Sequence, residues 1–393
     1  GGLSMFRPQI QKTRVLVILA IINLSMVYIA NQNTNPEKAP GYDMKVEATS
    51  TQSKALDVLK SKAPFNPNQH KSYDINSTGL ISDTSFTDIT TGKGNLKAKQ
   101  TTVKEDFAAL IVDYFINADL IKGDTIAVGM TGSMPGANIA LLSACKSMNI
   151  HPVIISSLGA SQFGATDTAF SWIDMEQGLK DTVFSNTSVA YSLGGIGDCL
   201  KGKKYDNGRN LLRNKIEEYS AKEIYCNHLD INSLRTSIDQ RMEIYEENID
   251  TLVNYKAYVN IGGGAASVGI GGRYVFNTAG YLSPEEVKYK VNNAPEDQPN
   301  FSIIKSFADS GIPTIHILRI KQFVKGNLVY GEIDDGKLDA LDPGSELYQK
   351  EKYKLFINIL ALLISLGSVV FIGIISHNQI KRRMQSYEPD SIL

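Results

Sequence analysis

The sequence predicts an α/β fold: a doubly wound, mostly parallel sheet in a domain flanked by apolar helices near the two chain ends. Three observations predict it. Short apolar strands alternate with helical stretches, glycine-rich turns follow three of the strands, and each end of the chain carries a long uncharged run. Alternating strands and helices are typical of parallel sheets whose crossover helices cover both faces.

Two apolar segments predict helices that cross a membrane. Residues 15–30 form a run of 16 positions without a charge, and residues 355–376 form one of 22 positions. A 22-residue helix is about 33 Å long, enough to span the hydrocarbon core. The first segment also fits a signal peptide, but no A-x-A cleavage site follows it, so an uncleaved anchor is expected. In the second, Ala361, Ser365 and Ser368 share a helix face, and such small-residue stripes let helices pack closely in lipid.

Basic residues beside these segments indicate their orientation. They lie on the outer side of each segment, toward the chain ends: Arg7, Lys12, Arg14, Lys381, Arg382 and Arg383. Because positive charge is retained in the cytoplasm, both termini are expected there. The chain between the helices is then expected on the other face of a bacterial cytoplasmic membrane, with the lipid bilayer as one partner.

These segments define the expected domain organisation. Its parts are residues 1–14 as a cloning-tag remnant and cytoplasmic N-terminus, 15–30 as a transmembrane helix, 31–103 as a linker, a helix and a loop-rich wrap, 104–353 as the extracytoplasmic α/β domain, 355–376 as a second transmembrane helix, and 377–393 as a cytoplasmic tail.

The charge balance excludes one class of function. Lys plus Arg total 40 and Asp plus Glu total 41, a formal net charge of −1. A general nucleic-acid-binding protein needs a basic excess to neutralise phosphates, so no nucleic-acid partner is expected. The hydrophobic share of 42% also excludes a wholly disordered chain.

Glycine-rich turns after strands predict a ligand site. The clearest is GMTGSMPGAN at 129–138, which joins an apolar strand to an apolar helix, and HPVIISS at 151–157 follows as the second strand of a βαβ unit. Further turns follow strands at 194–197 and 262–264. In open α/β sheets ligands bind beyond the carboxyl ends of the strands, and the N–H groups of a helix N-terminus favour an anion.

The residues expected to contact this ligand lie in the three turns and in a lysine-rich segment before them. They are Thr131, Gly132, Ser133, Asn138, Gly194, Gly195, Gly262, Gly263, Gly264, Lys97 and Lys99. A carboxylate or phosphate is the expected guest. Two plainer interpretations stay open: the glycines only close tight turns, and the lysine segment 93–104 is a solvated loop. The first turn lacks both the Gly-Lys-Ser/Thr ending of a Walker loop and the GxGxxG pattern, so no cofactor is expected.

Ser133 is also a candidate nucleophile, because it follows a strand and precedes a helix. The G-x-S-x-G elbow is broken, since 131–135 reads Thr-Gly-Ser-Met-Pro. His228, two residues before Asp230, is the candidate base, against the alternative that a lone histidine is structural or at the surface. His151 and His316, beside buried strands, are expected to be core or edge residues.

The three cysteines leave two states open. Cys199 and Cys226 would bridge in an oxidising compartment and close a loop across 27 residues, which is worth about 3–4 kcal/mol. In the alternative, all three thiols are free. Cys145 lies in an apolar helix and is expected to be buried. No His, Cys, Asp or Glu cluster has metal-ligand spacing, so no metal is expected.

The stretch 97–145 and the architecture around it resemble one protein family. The stretch opens with a Lys-x-x-Thr element and contains the helix FAALIVD and the turn GDTIAVGMTGSMPGAN, and IGGG at 261–264 ends a later strand. In these features the chain resembles the poly-gamma-glutamate system protein family. Members are encoded beside the amide ligase and multispanning membrane subunits of bacterial poly-γ-glutamate synthesis. The resemblance implies those subunits and the anionic γ-linked glutamate polymer as partners, and it implies no catalytic residue.

Two functions are the expected alternatives. The first is a membrane-anchored accessory subunit of a poly-γ-glutamate synthesis and export complex, whose domain binds the polymer without chemistry of its own. The second is an extracytoplasmic γ-glutamyl hydrolase or transferase that trims or releases the polymer, with Ser133 or a threonine as nucleophile. Two helices, where one anchor would suffice, favour assembly with other membrane subunits and therefore the first function.

Overall fold

The computed structural model describes residues 13–64, 73–74, 77–82, 85–249, 254–269, 272–295, 301–325, 327–328, 330–331 and 347–385. The chain divides into two compact units, which are described separately. One is the globular unit Ala39–Tyr348, and the other, the terminal unit, combines the two chain ends up to Lys38 and from Gln349. Arg7 and Lys12, on which the expected orientation partly rests, lie outside the described residues, as does the tail from residue 386.

The helices of the described residues follow the chain in this order. They are α1 Thr13–Gln32, α2 Tyr42–Lys62, α3 Leu96–Thr102, α4 Asp106–Asn117, α5 Pro135–Met148, α6 Trp172–Leu179, α7 Asp206–Glu218, α8 Ser233–Glu247, α9 Ala265–Val268, α10 Gly272–Val275, α11 Pro284–Asn292, α12 Ile303–Asp309, α13 Ile320–Val324 and α14 Leu355–Gln385. The strands are β1 Thr34–Lys38, β2 Thr90–Gly92, β3 Thr125–Thr131, β4 His151–Ser157, β5 Ala160–Ser161, β6 Ala190–Ser192, β7 Tyr258–Ile261, β8 Gly280–Leu282, β9 Thr314–Ile317 and β10 Gln349–Tyr353.

The terminal unit is a helical hairpin joined by a two-stranded antiparallel ribbon. Helix α1 packs against α14, and β1 pairs with β10. Both helices are longer than the uncharged runs, at 20 and 31 residues, and both are long and apolar enough to cross a membrane. Ala361 is buried, Ser365 and Ser368 are half-buried, and the Asn23 side-chain amide donates to Ser368 Oγ at 3.4 Å. The two helices therefore pack against each other, and Ser368 of the small-residue stripe lies in their contact.

The globular unit contains a six-stranded sheet in the order β6-β4-β3-β7-β9-β8. Strand β8 is antiparallel to β9, and every other pair in this sheet is parallel. Strand β3, the connecting helix α5 and β4 form the predicted βαβ unit, with Thr125 opposite His151 and Thr131 opposite Ser157. The predicted mostly parallel sheet is confirmed.

Helices cover both faces of this sheet. Alternate residues of β3 point to opposite sides: Ile126 and Val128 join the larger hydrophobic core with α2, α4 and α5, whereas Ala127 joins a second core with α8 and α12. The chain winds outward from β3 through β4 to β6, and then crosses to β7 on the other side of β3. The carboxyl ends of β3 and β7 thus lie at the switch point, where open α/β sheets bind ligands.

The globular unit begins earlier than the predicted boundary at residue 104. Helix α2 packs against α4 and α5, and its Ala48, Ala55 and Leu59 are buried in the larger core. The helix carries few apolar residues, so its sequence resembles that of a peripheral segment. Ala48, Ala55 and Leu59 are nevertheless fully buried, and part of the segment 31–103 therefore belongs to the globular unit.

Candidate functional site

A cleft of about 800 Å³ lies at the carboxyl ends of the parallel strands. It is lined by the turn after β3, by Gly195 of the turn after β6, and by the turn 262–264 after β7. The short parallel pair of β2 with β5 brings the segment 91–95 to the same cleft. The three glycine turns that the sequence singles out therefore meet at one site, because β6, β3 and β7 run parallel in one sheet, with only β4 between β6 and β3.

The turn after β3 is built by close packing. A Cβ on Gly132 would lie 2.5 Å from the Leu158 carbonyl oxygen, so this position takes only glycine without rearrangement. Pro135 then opens α5, where a missing N–H costs nothing. Asn138, in the first turn of α5, is fully buried and donates to the Thr131 carbonyl at 3.0 Å. Gly132 and Asn138 thus shape the turn. The sequence predicts that both contact the ligand, but neither is among the described residues that line the cleft.

Thr131 and Gly262 form the floor of the cleft at the switch point. Gly262 has φ +86°, and a Cβ there would lie 2.5 Å from Thr131 Oγ1. The Thr131 hydroxyl is buried, lines the cleft, and has no hydrogen-bond partner among the described residues. A buried hydroxyl without a partner is costly, so a polar atom of a ligand or water is expected to complete it.

A buried ion pair holds the turn after β6. Arg241 Nη2, from α8, donates to Asp198 Oδ2 at 2.9 Å and to Ser192 Oγ at 2.7 Å, and Ser237 Oγ donates to Asp198 Oδ2 at 2.6 Å. The arginine and the aspartate side chains are 2% and 0% exposed. Gly195 lines the cleft, whereas Gly194 packs behind it against Ser157 and Gly159. The network stabilises a glycine-rich turn whose own residues offer no apolar packing.

The cleft is electropositive. Lys93, Lys99 and Arg319 line it, and no carboxylate belongs to its described lining residues. Lys97 does not line it: its side chain lies against Gly331. Within the lysine-rich segment, the lysines of the cleft are thus Lys93 and Lys99.

Lys99 is the unusual cation of the site, because its side chain is buried and makes no ion pair in the described part of the chain. Its Nζ contacts the Ser133 carbonyl oxygen and lies 3.0 Å from Ser161 Oγ. Burial lowers the pKa of Lys99 to about 7, since desolvation disfavours the charged form.

Among the described residues, no hydrogen bond joins Ser133 to His228. Ser133 Oγ accepts a hydrogen bond from the Ser161 backbone N–H at 2.9 Å. His228 is half-buried in the segment after Cys226 and is not among the described residues that line the cleft.

Of the two histidines predicted at core or edge positions, His151 is exposed at the start of β4 and His316 is a core residue. It is fully buried on β9, and the Asn260 side chain donates to its Nδ1 at 2.8 Å and to the Gly262 carbonyl at 2.8 Å. Burial lowers the pKa of His316 to about 4, which keeps the ring neutral. The hydrogen bonds of Asn260 with His316 and with the Gly262 carbonyl therefore stabilise the turn after β7.

The sequence analysis missed Ser161 and Arg319. Arg319 comes two residues after the end of β9, so the rule that ligands bind beyond strand carboxyl ends would have found it. Ser161 lies in a two-residue strand after β4, and no sequence pattern marks its contact with Lys99. That contact depends on the pairing of β2 with β5, which brings α3 and β5 together.

The structure shows the state of the three cysteines and the placement of potential metal ligands among the described residues. Cys199 and Cys226 form a disulfide, so the alternative of three free thiols is wrong, and Cys145 is free and buried. Burial raises the pKa of the Cys145 thiol, which makes it unreactive. Within the described ranges no group of three or more His, Cys, Asp or Glu residues is placed to hold a metal ion.

Comparison with known proteins adds no relative: no protein-family model, curated protein or solved structure matches this chain.

Proposed function

We propose that the cleft binds a chain of carboxylates, and that the protein is a membrane-anchored accessory subunit of a bacterial poly-γ-glutamate synthesis and export complex. The observation that carries the proposal is the composition of the cleft, with three basic side chains and no carboxylate among its described lining residues. The unpartnered Thr131 hydroxyl and the N-terminus of α5 add donors for an anion.

The identity of the ligand rests on the chemistry of the cleft and on the resemblance together. A carboxylate placed between Lys93 and Arg319 receives charge-assisted hydrogen bonds, which are roughly twice as strong as neutral ones. A γ-linked glutamate polymer carries one free carboxylate per residue and repeats this contact along its length. The resemblance in the quoted sequence features is what favours that polymer over other carboxylate-rich chains.

The proposed location is the outer face of the cytoplasmic membrane, with both termini inside. Three observations support it: two helices apolar and long enough to cross, basic residues beside their outer ends, and the Cys199–Cys226 disulfide. Disulfides persist in oxidising compartments and are rare in the cytosol. The paired helices α1 and α14 offer lipid-facing surfaces for the ligase and the multispanning subunits.

Binding of the polymer tests the proposal directly. The full-length protein in detergent is titrated with fluorescently labelled poly-γ-glutamate between about 0.05 and about 0.5 M sodium chloride. We expect affinity to fall with salt, and the double variant Lys93→Ala and Arg319→Ala to lose roughly tenfold or more. The matched control, Lys203→Ala with Lys204→Ala, removes two exposed charges that do not line the cleft and should bind as the wild type. Equal loss in both double variants would reject the cleft as the site.

Limited proteolysis of spheroplasts tests the proposed topology. Protease added outside should cut within the globular unit and leave the terminal tails intact, and lysis should expose the tails. A globular unit that stays uncut until lysis would place it in the cytosol and contradict the proposal. Co-purification from native membranes then identifies the partner subunits.

A further inference from the structure

Lys99 and Ser161 form a pair that polymer binding alone does not explain. A lysine that only binds an anion gains by presenting its ammonium to the cleft, yet Lys99 is 2% exposed. Its Nζ instead lies 3.0 Å from Ser161 Oγ and contacts the Ser133 carbonyl oxygen. Both side chains line the cleft, so a ligand there reaches the serine hydroxyl.

The surroundings of Lys99 favour the neutral amine. Its pKa is lowered to about 7 because its head group is desolvated. The other charged side chains that line the cleft among the described residues, Lys93 and Arg319, are cations and do not stabilise a nearby ammonium. A neutral amine within hydrogen-bond distance of a hydroxyl is the arrangement in which a base activates a nucleophile.

Ser133 holds Ser161 in position. Its hydroxyl accepts the backbone N–H of Ser161, which fixes the two-residue strand β5 against the turn after β3. That turn leads into the N-terminus of α5, whose first N–H groups have no partner within the helix. Such N–H groups are suited to stabilise the oxyanion of an acyl-transfer intermediate.

We infer that Ser161 is a catalytic nucleophile with Lys99 as its base, and that the cleft cleaves the amide bond of a carboxylate-bearing substrate. The choice of a carboxylate-bearing substrate rests on the proposed function. The inference differs from the sequence-based hypothesis, in which Ser133 is the nucleophile.

The proposed reaction has two steps. In the first, neutral Lys99 accepts the proton of Ser161, Oγ bonds to the amide carbonyl carbon, and the carbon–nitrogen bond breaks as the lysine returns the proton to the leaving amine. In the second, Lys99 takes a proton from water, the hydroxide attacks the ester, and Ser161 Oγ leaves with that proton. The products are a carboxylic acid and an amine, with the enzyme regenerated. An amine in place of water gives transfer to a new chain.

Two substrates and two variants test the inference. Full-length protein is incubated with poly-γ-glutamate, followed by chain length on size exclusion, and with γ-glutamyl 4-nitroanilide, followed by absorbance. We expect both to be cleaved, and Ser161→Ala to slow cleavage by roughly 10³-fold. Lys99→Arg keeps a cation but removes the base, so we expect it to bind the polymer and to lose about 10²–10⁴-fold in rate.

Matched controls and a variant-independent readout complete the experiment. Lys146→Arg and Ser147→Ala alter an exposed lysine and a half-buried serine near the end of α5, away from the cleft, and should leave the rate unchanged. Mass spectrometry of wild-type protein quenched during turnover should find the acyl group on the peptide that contains Ser161, whether or not the variants fold.

The outcomes separate the inference from the proposed function. Polymer binding without cleavage of either substrate overturns the inference and leaves the proposed function standing. Wild-type cleavage by Ser161→Ala, or an acyl group on another peptide, also overturns it. Failure to bind polymer overturns the proposed function, and hydrolysis of the anilide with its acyl group on Ser161 then decides the inference by itself.

Discussion

At the scale of single residues, the contact between Gly262 and Thr131 determines the shape of the cleft. The glycine has a positive φ and approaches a hydroxyl that any larger residue would displace. Two effects therefore require glycine here, the backbone conformation and the close approach. They can be separated, because Gly123 has φ +91° with nothing within 4 Å of its would-be Cβ.

Gly262→Ala should lower the free energy of unfolding by roughly 2–4 kcal/mol, as the sum of backbone strain and overpacking. Gly123→Ala should cost about 1–2 kcal/mol, the strain alone. Chemical denaturation measures both. Adding Thr131→Ala to Gly262→Ala removes the blocking oxygen and should recover part of the loss, and strict additivity of the two substitutions would show that they do not interact.

The folding stability of the protein depends on pH through Lys99. Its pKa is lowered to about 7 from 10.5, so between these values the unfolded chain binds a proton that the folded chain does not. Stability from this group therefore rises with pH across that window, and the cost of burying the ammonium is greatest below pH 7. The same residue supplies the proposed base, and the destabilisation is a consequence of holding an amine out of water.

Lys99→Met should remove this pH dependence. The free energy of unfolding of the variant minus that of the wild type should be larger at about pH 6 than at about pH 10 by a few kcal/mol. The reason is that only the wild type has a buried charge to accommodate at the lower pH. Denaturation at both pH values measures the difference. Lys146→Met serves as the control with no such trend, and an equal difference for both lysine variants would contradict the assignment.

At the scale of elements, the disulfide reinforces a contact that backbone hydrogen bonds already make, since the Ile224 N–H donates to the Tyr191 carbonyl of β6. Cys199 follows the turn after β6, and Cys226 lies beyond α7. Both are buried, and Asp198 beside the first cysteine anchors the Arg241 network. The crosslink therefore stabilises the turn that carries Gly195 into the cleft.

Replacing both cysteines by serine should lower the free energy of unfolding by about 3–4 kcal/mol, as expected from closing a loop across 27 residues. Denaturant titration with and without reductant provides the measurement. Reductant should bring the wild type down to the stability of the double variant and leave that variant unaffected. A wild type indifferent to reductant and equal to the variant would show that the bond does not stabilise the fold.

At the scale of the whole molecule, the globular unit has its own core, and its last residues pack against its first helices. Its last residues, Leu347 and Tyr348, are buried. The Leu347 carbonyl accepts the buried Lys45 ammonium at 2.8 Å, and the Tyr348 hydroxyl donates to Asp106 at 2.5 Å and lies 2.8 Å from Thr49 Oγ1. These contacts join the end of the unit to α2 and α4.

A fragment of residues 39–348 should therefore fold without the apolar helices, and one of residues 39–346 should be less stable by roughly 2–4 kcal/mol. The shorter fragment leaves the Lys45 ammonium and the Asp106 carboxylate without these partners. Thermal and chemical unfolding of the two fragments measure the difference. Equal stability would mean that Leu347 and Tyr348 do not stabilise the globular unit.

The local elements and the general position of the site follow from the order of residues along the chain. Periods of apolar residues identified β3, α5 and β4, and uncharged length identified α1 and α14, because these signals depend only on neighbours along the chain. Glycines after strands located the cleft, since parallel strands end at a common edge.

Which residues meet in that cleft is set by contacts between distant parts of the chain. The position of β7 beside β3, the contact of Lys99 with Ser161, and the displacement of Lys97 and Asn138 from the site all depend on pairings between distant segments. Such pairings arise from the packing of whole faces against each other, and a chain read position by position carries no signal of which faces are chosen.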